Sequence, residues 1–174
     1  MQTFLSETTF SGSAEVLDKR RLNSQFKEAR QIMDVLFAKP REDGKKIAWQ
    51  NHPAVLMWKG HEYYLWLYIK RMREECIYRG IKVEKNTDAV NKHIHLIDSP
   101  DMCQDPPLWW SDETLRNRVI MTHRARLFVK DPVHYAKYEQ WVEPAKELVC
   151  CVGKCNYFWP SHHERNLSMG KANV

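Results

Sequence analysis

Glycine is scarce in this 174-residue chain, at six residues, and runs that alternate polar and apolar side chains are few. Both absences argue against a sheet protein, which needs turn residues at short intervals and a period of two. No apolar stretch is long enough to cross a bilayer. The opening, MQTFLSETTF, has neither a basic region nor an apolar core, so a secretory signal is not expected. Five cysteines, an odd number, occur without a CxxC pair. Together with the missing signal they imply reduced thiols, and a cytoplasmic setting is expected. No internal repeat and no low-complexity tract is present. The length fits one domain, and 28% charged residues with 43% hydrophobic ones fit an ordinary globular protein.

What is present points elsewhere. The formal charge is +5 and the chain carries seven Trp and seven Tyr. Several rings lie next to cations, as at Trp58-Lys59 and from Trp66 to Arg71. Aromatic planes beside cations suit stacking on bases and contact with phosphates, although most such rings pack in a core.

The stretch LDKRRLNSQFKEARQIMDVL, Leu17 to Leu36, carries Leu22, Phe26, Ala29, Met33 and Leu36 at spacings of four and three, the seam of an amphipathic helix. Arg21, Gln25 and Glu28 fall on a polar row beside it. The helix-face neighbours of Glu28 are Ser24, Gln25, Gln31 and Ile32, none of them basic, in a region rich in Lys and Arg. A carboxylate left without its usual helical partner suits a substrate role, whereas most helical glutamates are simply solvated. The first helix is expected from after Ser11-Gly12-Ser13 to before Pro40. A loop follows over PREDGKKIAWQ, and a long central helix over NHPAVLMWKGHEYYLWLYIKRMREECIYRG, with Asn51 or His52 as cap, Pro53 in its first turn and Gly80 at its stop.

Residues 81 to 110 are expected to hold a short helix and a proline-rich loop. Ser111 is expected to cap a third helix running to about Lys130, with Asp112 and Glu113 in its first turn. Arg116, Arg118, His123, Arg124, Arg126 and Lys130 follow along it. Arg126 and Lys130 share a face and lead into DPVHYAKY, with His134, Tyr135, Lys137 and Tyr138, a candidate clamp on a nucleic-acid backbone. The fold class is therefore all-α: a compact single domain, residues 1–160, with three main helices joined by long irregular connections, and a polar, mobile tail at 161–174. Cys150, Cys151 and Cys155 with His162 and His163 offer a possible zinc site, but the spacings match no standard finger or ribbon, and neither a metal nor another cofactor is expected.

Three blocks, in order, resemble a known family. They are LDKRRLNSQFKE, NHPAVLMWKGHE and KDPVHY, and the closing YFWP agrees. They resemble the pyrimidine-dimer DNA glycosylases of the phage endonuclease V type, in a bacterial and phage branch whose members begin MQTFL. The resemblance implies a DNA glycosylase with an associated lyase activity. An N-terminal α-amine attacks the sugar C1′, and a glutamate on the first helix, here Glu28, assists. α-Amines have pKa values near 8, so about a tenth is neutral and nucleophilic at neutral pH. A carboxylate beside an oxocarbenium-like sugar stabilises developing charge.

The same resemblance assigns DNA contacts to Gln2, Thr3, Arg20, Arg21, Gln25, Lys27, Gln31, His61, His123, Arg124, Arg126, Lys130 and Tyr135. The expected partner is double-stranded DNA with a flipped nucleotide; the expected state is a monomer, in a bacterial or phage-infected cell. The chain departs from the family at three places. Thr3 and Gln31 stand where arginines are found, and Gln2 is too bulky to favour removal of Met1. Either Met1 supplies the amine, or Glu28 activates water in a hydrolytic glycosylase. A DNA-binding protein without catalysis is the third reading.

Overall fold

A computed structural model of the chain describes residues 1–40, 42–149 and 156–161. Among these residues every regular element is helical. Backbone proximity divides them into two units: Met1–Phe4 with Thr9–Pro107, and Leu5–Thr8 with the described residues from Leu108 onward.

The first unit holds six helices, and the expected first helix is two of them. α1 spans Phe10–Glu15 and α2 spans Lys19–Leu36. The Thr9 side chain caps α1 through Gly12 N, and Asp18 caps α2 through Arg21 N. The chain turns at residues 16–18 because Asp18 is an N-cap residue in extended backbone, so a new helix starts there. The last carbonyls of the α1 region are satisfied by a guanidinium: Arg79 donates to Leu17 O (2.5 Å) and Glu15 O (2.6 Å).

The expected central helix is also split. α3 (Pro53–Leu56) is capped by His52, whose Nδ1 accepts from Ala54 N at 3.1 Å, as the cap reading required. Gly60, at φ +82°, then breaks the path before α4 (Glu62–Tyr78). α2 packs on α4, and α1 packs on α4. Leu22, Phe26, Ala29, Ile32 and Met33 of α2 are buried, as are Leu65, Tyr68, Ile69, Met72 and Cys76 of α4. Residues 81 to 110, expected to hold one short helix, form two before Pro107 and begin a third at Leu108: α5 (Glu84–Asn91), which packs on α2, and α6 (Ile94–Ile97) come first.

The second unit holds α7 (Leu108–Ser111), α8 (Glu113–Lys130), a 3-10 helix at Ala136–Trp141 and α9 (Val142–Leu148). Asp112, not Ser111, caps α8, through Leu115 N at 2.8 Å. Ser111 belongs to α7, which the proline-rich stretch was not expected to contain. The 3-10 helix and α9 both pack on α8.

The cysteine and histidine group proposed for zinc, and the polar tail, lie outside the described residues. No helix among the described residues is long and apolar enough to cross a membrane.

Candidate active site

The first unit builds its site around the first four residues. The Gln2 backbone N–H donates to Glu28 Oε2 at 2.5 Å, and the Phe4 N–H donates to Gln25 Oε1 at 2.6 Å. Gln25 and Glu28 are three residues apart on α2, so their acceptors lie one turn apart, a spacing that meets alternate N–H groups of an extended segment. The Tyr68 hydroxyl on α4 lies 3.1 Å from Phe4 O and 2.9 Å from Gln25 Oε1, both acceptors for its proton. Trp58 donates through Nε1 to Thr3 Oγ1 at 3.0 Å. Burial, then the Glu28 charge, raises the Tyr68 pKa well above 10, which keeps it a donor.

This lattice presents the chain's first nitrogen to a carboxylate. The Met1 α-amine lies 3.9 Å from Glu28 Oε2; the Met1 side chain is 9% exposed and that of Glu28 31%. The carboxylate that lacked a helical partner thus meets the N-terminal segment instead. His52 is close enough to feel the same ammonium: burial first, and the N-terminal charge second, lower its pKa below 6.5. With Nδ1 accepting from Ala54, the neutral ring carries its proton on Nε2.

The other residues assigned to DNA contact divide sharply. Arg20, Lys27 and Gln31 are exposed on α2, spaced by seven and four residues, and so share a stripe that runs beside Glu28. Arg21 is half-buried and held by Asp18 at 2.5 Å. Gln2 and Thr3 are buried, and so is Gln25, 2% exposed. Gln25, expected as a DNA contact on the polar row beside the seam, is instead covered by the N-terminal segment. His61 is half-buried and donates through Nδ1 to Asp105 O at 3.2 Å, so it is not a core histidine.

In the second unit His123 is fully buried, and its Nδ1 accepts from Leu5 N at 2.9 Å. Burial lowers its pKa to about 3, so it is a neutral structural acceptor rather than a phosphate ligand. Tyr135 is buried as well. Arg124 donates to Ser6 O (2.7 Å) and to Glu7 Oε2 (2.8 Å), and lies over the Tyr138 and Trp141 rings. Tyr138 donates to Glu7, and Lys137 lies 3.6 Å from it. The turn expected to clamp a DNA strand therefore closes on the protein's own carboxylate. Arg126 lies half-buried over Tyr157, at 6.0 Å, and Lys130 is exposed.

A family model described as pyrimidine dimer DNA glycosylase matches residues 1–89, just over half of the chain. The chain belongs to that family. No curated protein and no solved structure matches it. The matched stretch of this pyrimidine dimer DNA glycosylase family member contains Met1, Gln25, Glu28, His52, Trp58 and Tyr68, and stops short of α8. Sequence reasoning had placed the amine and Glu28 together. It missed Tyr68 and Trp58 as clamps on the N-terminal segment, and His52 as a neighbour of the amine. The polar tips of Tyr68 and Trp58 were the only signal, since a buried Tyr or Trp needs a hydrogen-bond partner.

Proposed function

We propose that this family member is a DNA glycosylase with an associated lyase step, and that the Met1 α-amine is its nucleophile. The observation that supports this is the 3.9 Å separation of that nitrogen from Glu28, on a segment whose N–H groups are held by side chains. In the proposed sequence the neutral amine attacks C1′, the C1′–N bond breaks and its electron pair leaves with the base. The attached nitrogen gives one proton to Glu28 and the departed base takes one from water; Glu28 then passes its proton to O4′ as the C1′–O4′ bond opens, leaving a protonated imine and a 4′-hydroxyl. Loss of a C2′ proton then breaks the C3′–O bond and releases the 3′ phosphate. Glu28 stabilises the cationic stages and relays one proton from the nitrogen to O4′. Holding the amine in place beforehand removes entropy that a free amine would lose in the encounter.

The partner is double-stranded DNA with one nucleotide turned out of the stack. Arg20, Lys27, Gln31 and His61 of the first unit and Arg126 and Lys130 of the second are proposed contacts to it. The protein acts as a cytoplasmic monomer, and residues 1–160 as one domain.

Borohydride trapping tests the chemistry. The wild-type protein should form a covalent adduct with an abasic duplex, and the adduct should map to the peptide that begins at Met1. Glu28→Gln keeps an oxygen for the Gln2 N–H but removes the charge. It should bind the duplex normally and lose roughly 100- to 1,000-fold in strand cleavage. Scission only after alkali treatment, with no adduct, would place the reaction with hydrolytic glycosylases instead. Binding without any base release would leave a DNA-binding protein.

A further inference from the structure

Trp49 stands apart from every other aromatic residue of the chain. Its backbone has φ +67°, and among the described residues it is the one non-glycine position with positive φ. Bulky residues rarely occupy this left-handed region, because Cβ crowds the backbone there. Glycine would make the same turn, closed by His52 N donating to Trp49 O at 2.8 Å, without that cost. The side chain gains little burial in exchange, since Trp49 is 62% exposed. Strain combined with an exposed indole needs an explanation beyond packing.

Its surroundings supply one. The indole meets the His52 ring edge-on, with centroids 5.6 Å apart. His52 in turn caps α3, which packs on α2, the helix that carries Glu28, so the Trp49–His52 pair belongs to the elements that build the candidate active site. The same loop carries Lys45 and Lys46, both exposed, with Lys45 3.6 Å from Asp43 Oδ2. An open aromatic plane and cations on one short loop match how proteins hold unpaired nucleotides: the ring takes a base and the cations take the phosphates.

We propose that Trp49 is a base-stacking residue, receiving a nucleobase left unpaired when the target nucleotide leaves the helix, with Lys45 and Lys46 on the adjoining phosphates. This rests on the glycosylase reading above. It adds a contact that neither the α2 stripe nor the α8 cations provide.

The test uses the full-length protein and a duplex carrying a tetrahydrofuran abasic analogue with 2-aminopurine opposite it. Wild-type protein should bind the duplex and change the 2-aminopurine fluorescence by stacking. Trp49→Ala should bind about tenfold more weakly and lose the fluorescence change. Trp49→Phe should restore most of both. Trp49→Gly should lose binding like the alanine variant while melting at or above the wild-type temperature, since it relieves the strained backbone. If Trp49→Ala binds as tightly as wild type, or if binding falls only in step with melting temperature, the proposal is overturned and the residue is structural. If wild-type protein neither binds this duplex nor forms the borohydride adduct with abasic DNA, the glycosylase reading falls first and takes this one with it.

Discussion

Single side chains on α2 and α8 do a backbone's work. Gln2 N, Phe4 N and Leu5 N find their acceptors on Glu28, Gln25 and His123. Gln25→Ala removes the side-chain acceptor of the buried Phe4 N–H and one of the two acceptors of the Tyr68 hydroxyl, which keeps Phe4 O. An unsatisfied buried donor costs about 1–3 kcal/mol, so the variant should lose that much or more in denaturant unfolding. Its borohydride adduct should also form more slowly, because the amine loses its support. Gln25→Glu retains an acceptor, and it should recover part of the trapping rate if the segment's position is what matters.

His123 gives a pH signature. In the unfolded chain it titrates near 6.5, and in the folded one near 3. Between those values the unfolded state binds the extra proton, so stability falls as pH drops from about 6.5 toward 3, by up to ~1.4 kcal/mol per pH unit. His123→Asn offers an oxygen to the Leu5 N–H and does not titrate. Urea midpoints measured from pH 7 to pH 4 should fall less steeply for this variant than for wild type; parallel curves would assign the acid sensitivity to other groups. Burial of Gln25 could not be read from spacing, because the groups that cover it lie 21 or more residues away along the chain.

At the scale of elements, the apolar seam of α2 was legible, and the breaks within the expected helices were not. Leu22, Phe26, Ala29 and Met33 are all fully buried, as their spacing required. A period of 3.6 continues through Val16 and Leu17 as readily as through the real helix, so it cannot show that Asp18 restarts the count. The break at Gly60 was hidden for a different reason: an isolated glycine is tolerated in a helix, and only its φ of +82° shows that the chain uses it as a turn. No atom within 4 Å would meet a Cβ at Gly60, so Gly60→Ala isolates the conformational penalty. It should destabilise the protein by about 1 kcal/mol, seen as a lower melting temperature with an unchanged helical circular-dichroism spectrum. The arginines of α8 were legible as a basic row, yet their partners were not. Arg118 donates to Leu148 O and lies over Phe158, and Arg124 is held by Ser6 and Glu7, partners that come from elements far along the chain.

For the whole molecule, the count of 27 basic residues overstates the cations proposed to meet a polyanion. Arg21, Arg30, Arg79 and Arg124 are each paired with a carboxylate of the chain itself. Arg20, Lys27, Lys46 and Lys130 are exposed. Each cation that displaces a counterion from duplex DNA adds about −0.9 to the slope of log K against log salt. The six cations proposed to meet the DNA, these four with Lys45 and Arg126, give a slope of about −5.4, well short of what 27 basic residues would suggest. Fluorescence anisotropy between 50 and 200 mM salt, roughly the range over which such slopes are resolved, should return that value. Lys27→Gln should make the slope shallower by about one, for damaged and undamaged duplexes alike, because a phosphate contact reads no sequence. Trp49→Ala should weaken binding and leave the slope unchanged, because a stacked ring displaces no counterion. If Lys27→Gln leaves the slope as it was, the α2 stripe does not face the DNA backbone, and Glu28 loses the phosphate grip that would bring a sugar to it.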